Sequence, residues 1–125
     1  MKDISAIIKY KEKEYKIVFN LNVMEEIQEE YGTLENWGSL CQPSEGNKGT
    51  DFKALKYGFR AMLNEGIDID NEEKGTNEPM LTLKQVGRII TSLGASDALE
   101  TLNQAIIDST KSTEKNELST KKRKK

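Results

Sequence analysis

Histidine is missing from this 125-residue chain, cysteine occurs once and proline twice. Without histidine there is no Ser-His-Asp or Cys-His relay, no ordinary zinc-protease site and no side chain that exchanges protons near neutral pH. The lone Cys41 excludes an internal disulfide. No apolar run approaches the ~20 residues that span a bilayer, and the opening MKDISAIIKYKEKEYK has no uninterrupted apolar stretch of the secretory kind. These absences predict a non-enzymatic, soluble protein of a reducing cytoplasm, with no cofactor, metal or membrane partner.

What is present is charge. Asp, Glu, Lys and Arg make up 32% of the chain and apolar residues 35%, a balance that fits a globular domain with disordered segments. The net charge of −2 hides a division: residues 111–125 hold seven Lys/Arg against two Glu, a balance of +5 that leaves −7 for residues 1–110. The composition predicts one globular domain over 1–110 and a disordered basic tail over 111–125. An acidic body disfavours a duplex-binding surface, because that affinity comes from cations displacing counterions along the phosphates. KKRKK at the end lacks interleaved aromatics, so specific nucleic-acid binding is not expected of it either.

Along the chain, residues 4–10 and 15–20 are β-rich runs joined by KEKE, which predicts a hairpin. Tyr15, Ile17 and Phe19 fall on one face of it. In LNVMEEIQEEYG the residues Leu21, Met24, Ile27 and Tyr31 recur at helical spacing and Gly32 ends the run. Thr33 is placed to cap a short turn, LENWGSL, and CQPSEGNKG (41–49) is a loop by composition. Thr50 then predicts an N-cap for a helix over 51–65 that stops at Gly66. IDIDNEEKGTNEPM (67–80), polar and ending at Pro79, reads as an exposed connection with freedom to move. Thr82 and Gln85 stand at capping-box spacing ahead of Leu83, Val86, Ile90 and Leu93, and Gly94 stops that helix. Ser96 opens the last one, whose stripe is Leu99, Leu102 and Ile106 flanked by Ala98 and Ala105. The expected fold is mainly α (α+β): an N-terminal hairpin followed by about four helices in a small bundle.

Two acidic groups imitate chemistry. Asp68, Asp70 and Glu72 mimic the first ligands of a calcium loop, but Glu73 stands where the turn needs Gly and Pro79 where a bidentate Glu belongs. Glu25, Glu26, Glu29 and Glu30 occupy the polar side of a helix with no apolar enclosure to shift them. Solvated acidic surface is the expectation for both.

The segment LKYGFRAMLNEGI (55–67) raises a sharper question, because a glycine inside a helix costs about 1 kcal/mol relative to alanine. On a helical projection Phe52, Leu55, Phe59 and Met62 gather on a bulky face, and Ala54, Gly58 and Ala61 form a separate strip of small residues. The bulky face, with Phe19, Val86, Ile90 and Leu102, is the expected core. The strip admits a close helix, and two readings stand: packing against the domain's own final helix, or contact with another protein or a second copy.

In its pattern, from a short β opening through YKIVFNLNVMEEIQEEYGTLENW to FRAMLNEGI, an acidic connection and LTLKQVGRII, the chain resembles the tail assembly chaperones of long-tailed, siphophage-type bacteriophages and prophages. The likeness covers roughly residues 4–108 and rests on the family's pairing of a helix end of the type lxxllxaGl with a helix start of the type lTxeevgxll. It implies a protein of virion morphogenesis in the cytoplasm of the bacterial host, not carried in the mature virion. Its partners would be the tape measure protein, which it coats and keeps soluble, and the tail tube protein, which it helps recruit. Many such genes also yield a longer product by ribosomal frameshifting, and STKKRKK is codable by slippery A-rich triplets. The alternative is a small nucleic-acid-binding regulatory protein using 83–93 and 97–108 as a helix-turn-helix, against which DALETLNQAIIDS offers no Lys or Arg to phosphates or bases.

Overall fold

The computed structural model describes residues 4–42 and 49–107. Most of the expected 41–49 loop and the whole expected 111–125 tail lie outside these residues. The described chain is a hairpin followed by five helices.

Strands β1 (Ile4–Tyr10) and β2 (Lys13–Val18) pair antiparallel with Tyr10 opposite Lys13. The turn is only Lys11 and Glu12, both left-handed at φ 51° and 66°, the two-residue geometry whose twist matches that of the strands it joins. It is tighter than KEKE implied, because Lys13 and Glu14 already belong to the ladder. Ile17, Val18 and Phe19 are all buried, so the strand is covered on both faces where it ends.

Helix α1 (Leu21–Tyr31) is capped by Asn20, whose side chain accepts from the Val23 N–H at 3.2 Å, and ends at Gly32 with φ 86°. Its buried residues are Val23 and Ile27, whereas Leu21 is 79% exposed. The expected stripe therefore fails at its first member, because helical side chains lean toward the N-terminus and Leu21, at the first position, leans off the end. Helix α2 (Leu34–Cys41) follows at once, with Thr33 accepting from the Asn36 N–H at 2.9 Å.

Helix α3 (Phe52–Lys74) runs 23 residues and packs against β2, α1 and α2. Asp51, not Thr50, is its N-cap, accepting from the amides of Lys53 and Ala54. Nor does it stop at Gly66: it continues through half of the expected loop to Gly75, whose left-handed φ of 66° ends it. The reason is tertiary. A Cβ on Gly66 would stand 2.8 Å from the Lys16 carbonyl, so this glycine serves close approach to the hairpin and not helix termination. One turn on, the Lys16 ammonium donates to Asp70 at 2.7 Å and secures the extension, a hydrogen bond that holds the Lys16 pKa above its ordinary value.

After Gly75 the chain turns back along α3 as an extended strap. Asn71 accepts from the Glu78 N–H at 2.9 Å and donates to the Glu78 carbonyl at 3.1 Å. Two turns earlier on the helix, Asn64 accepts from the Leu81 N–H at 2.8 Å and donates to the Leu81 carbonyl at 3.2 Å. Each carboxamide thus pairs with backbone as a neighbouring strand would, and the expected free connection is fastened to its helix. The strap delivers Thr82, whose capping box with Gln85 starts α4 (Leu83–Leu93) as the spacing indicated. Gly94, at φ 93°, ends α4. It also precedes α5 (95–107): the Ala98 N–H donates to the Gly94 carbonyl at 2.9 Å, so Ser96 lies within the first turn and does not cap it.

The core gathers Phe19, Leu55, Phe59, Met62, Val86 and Leu102, with Ile90 at its edge. Phe52 is a correction, being 61% exposed. Like Leu21, it is the first residue of its helix, and its side chain leans back beyond the last layer of packing.

Candidate functional site

The small strip of α3 is where the sequence placed a contact surface. Ala54, Gly58 and Ala61 are all buried, and what covers Gly58 is Trp37 of α2, so the strip is not a free partner-binding face. A Cβ at position 58 would overlap the benzo edge of the indole. The Trp37 Nε1–H donates to the Ala54 carbonyl at 2.9 Å, which satisfies the polar end of an otherwise buried ring. The glycine is explained by packing inside the domain, but the neighbour is α2 and not the final helix. Trp37, the only Trp in the chain, was the signal that would have found it: a large ring needs a small partner.

Beside the buried strip the same helix leaves an open groove. It has a volume of about 610 Å³ and lies between the first turns of α3 and the length of α4, with Ala95 among its lining residues. Phe52, Leu55 and Ile90 give it a mainly apolar wall. Gly87 contributes no side chain, and a Cβ there would stand 3.2 Å from Cδ of Lys56, whose stem crosses this position. Lys56, Lys84 and Arg88 surround the groove. Among the described residues none of these three cations is joined to a carboxylate.

Elsewhere the polar chemistry is structural. Glu65 accepts from Asn20 at 2.9 Å and from Asn22 at 3.0 Å, tying α1 to α3. Tyr57 meets Tyr31 edge-on at 5.5 Å and donates to the Glu26 carbonyl at 3.3 Å, and burial raises the pKa of both phenols. Cys41 is buried at the end of α2; burial first, and then the charge of Asp51, push its thiol up to about 12. It is therefore a neutral, poorly nucleophilic group at ordinary pH. Asp68 and Asp70, expected in a loop, lie on α3, and Asp70 is bound to Lys16 with Lys74 at 3.9 Å. Among the described residues no three His, Cys, Asp or Glu side chains are grouped to hold a metal ion, and no helix is long and apolar enough to cross a membrane.

Comparison of the chain with family models, curated proteins and solved structures gives no match.

Proposed function

We propose that this protein is a tail assembly chaperone of a long-tailed phage or prophage, which binds the tape measure protein, keeps it soluble and helps bring tail tube subunits to it in the host cytoplasm. The observation that carries the reading is the open apolar groove between α3 and α4, the two helices that contain the paired FRAMLNEGI and LTLKQVGRII segments. A long helical client exposes apolar stripes before the tube covers it, and a groove between two helices accepts such a stripe. Many copies bound along one client would need only modest affinity each, because tethered sites raise the local concentration. The work is binding, with no bond made or broken.

The test is co-expression with the tape measure protein of the same gene cluster, together with any longer frameshifted product of this gene. The expected result is a soluble client that co-purifies with the chain, and loss of that co-purification on Phe52→Asp, a change at an exposed position. A tape measure that stays insoluble and unbound in the presence of both products shows the reading to be wrong.

A further inference from the structure

We infer that the α3/α4 groove selects its occupant by charge, and that the occupant is an amphipathic helix of a partner protein with Asp or Glu flanking its apolar stripe. The inference rests on the reading of this protein as a client-binding chaperone, and it adds the chemistry of the segment bound. Two helical ridges make the walls: Phe52, Leu55 and Lys56 from the start of α3, and Lys84, Arg88 and Thr91 along one side of α4. A groove between two helical ridges can receive the ridge of a third helix. The floor is open because position 87 is glycine, with only the Lys56 stem laid across it.

Charge decides between occupants. Residues 1–110 carry a net −7, yet the groove is bordered by three cations with no acidic partner among the described residues. Cations left unpaired beside an apolar wall complement a stripe bordered by carboxylates and repel one bordered by lysines. The basic 111–125 segment of this chain is excluded on the same ground. A second copy offers the acidic side of α1, but Val23 and Ile27 of that helix are buried and Leu21 is its one exposed apolar residue, so it brings charge without a stripe. A nucleic acid would use the cations and leave the apolar wall unfilled.

The experiment titrates the full chain against a fluorescein-labelled synthetic peptide of about five helical turns, leucines on one face and glutamates beside them, and against its twin with lysines in place of the glutamates. Anisotropy is read in low and high salt. The glutamate peptide is expected to bind roughly five- to tenfold more tightly, the sum of two or three exposed ion pairs, with the margin shrinking in high salt. Lys84→Glu with Arg88→Glu, both at exposed positions, should reverse the preference, while Phe52→Ala should weaken both peptides. Equal binding of the two peptides, or a preference that the double variant leaves unchanged, overturns the inference. So does displacement of the peptide by a single-stranded oligonucleotide at one-to-one stoichiometry, or self-association that the double variant abolishes. A tape measure solubilised by a protein that ignores peptide charge removes this inference and leaves the chaperone reading standing; charge-selective peptide binding with an insoluble tape measure does the converse.

Discussion

Trp37 fills the space that a side chain on Gly58 would need, and its indole N–H is anchored one turn away on the Ala54 carbonyl. The ring cannot retreat without breaking a buried hydrogen bond. Alanine at 58 would gain about 1 kcal/mol in helix propensity, but the overlap should outweigh it and leave a net loss of about 1–3 kcal/mol. Urea denaturation followed by far-ultraviolet circular dichroism, a probe that survives replacement of the tryptophan, measures this directly. The same substitution in a Trp37→Phe background should cost less, and additivity of the two changes would show that they do not touch.

Gly38 is the counterexample within α2. A Cβ there meets nothing within 4 Å. Gly38→Ala should therefore stabilise the protein by about 0.5–1 kcal/mol, since only the helix preference changes. A lower denaturation midpoint would mean that the space beside Gly38 is occupied.

The strap after α3 depends on two carboxamides. Asn64 holds both backbone groups of Leu81, so Asn64→Ala should cost about 1–2 kcal/mol and expose the Leu81 amide to rapid hydrogen exchange. Asn64→Asp keeps the acceptor for the Leu81 N–H and loses the donor to the Leu81 carbonyl, so its loss should be smaller. Protection at position 81 that survives Asn64→Ala would show that the strap is held by other means.

Cys41 couples stability to alkaline pH. Its folded thiol stands at about 12 against an ordinary 9.0, so between these values the unfolded chain loses the proton while the folded chain keeps it. The unfolded state then binds fewer protons, and stability falls as pH rises. The contribution is fully present below about pH 8 and declines above it, so the advantage of the native protein over Cys41→Ala should narrow by about pH 10.5. At neutral pH a thiol reagent should label Cys41 only after denaturant is added. Fast labelling of the folded chain would contradict the burial.

Much of the fold was legible because its signals are local. The Thr33 and Thr82 caps and the stops at Gly32 and Gly94 each need only a few adjacent residues and are found where the pattern put them, as is the hairpin apart from its tighter turn and earlier second strand. Val86, Ile90 and Leu102 were likewise read from period alone, and all three are buried. Phe52 and Leu21 were misread because period does not say where a helix begins relative to the core beneath it. The groove was not legible, since it is defined by what α3 and α4 fail to fill between them.

The sequence by itself determined the classes of element, their order, the acidic body and the lack of histidine chemistry, all properties of composition and near neighbours. Tertiary structure decided the meaning of the glycines. In sequence Gly58 reads as an interruption of a helix and Gly66 as its end, yet the first admits an indole and the second a strand carbonyl, and neither ends the helix. Propensity assigns an isolated glycine a cost of about 1 kcal/mol, and only the atoms packed against it reveal what offsets that cost. For the same reason the strip of small residues became interior, and the open apolar surface of α3 is the groove beside Phe52.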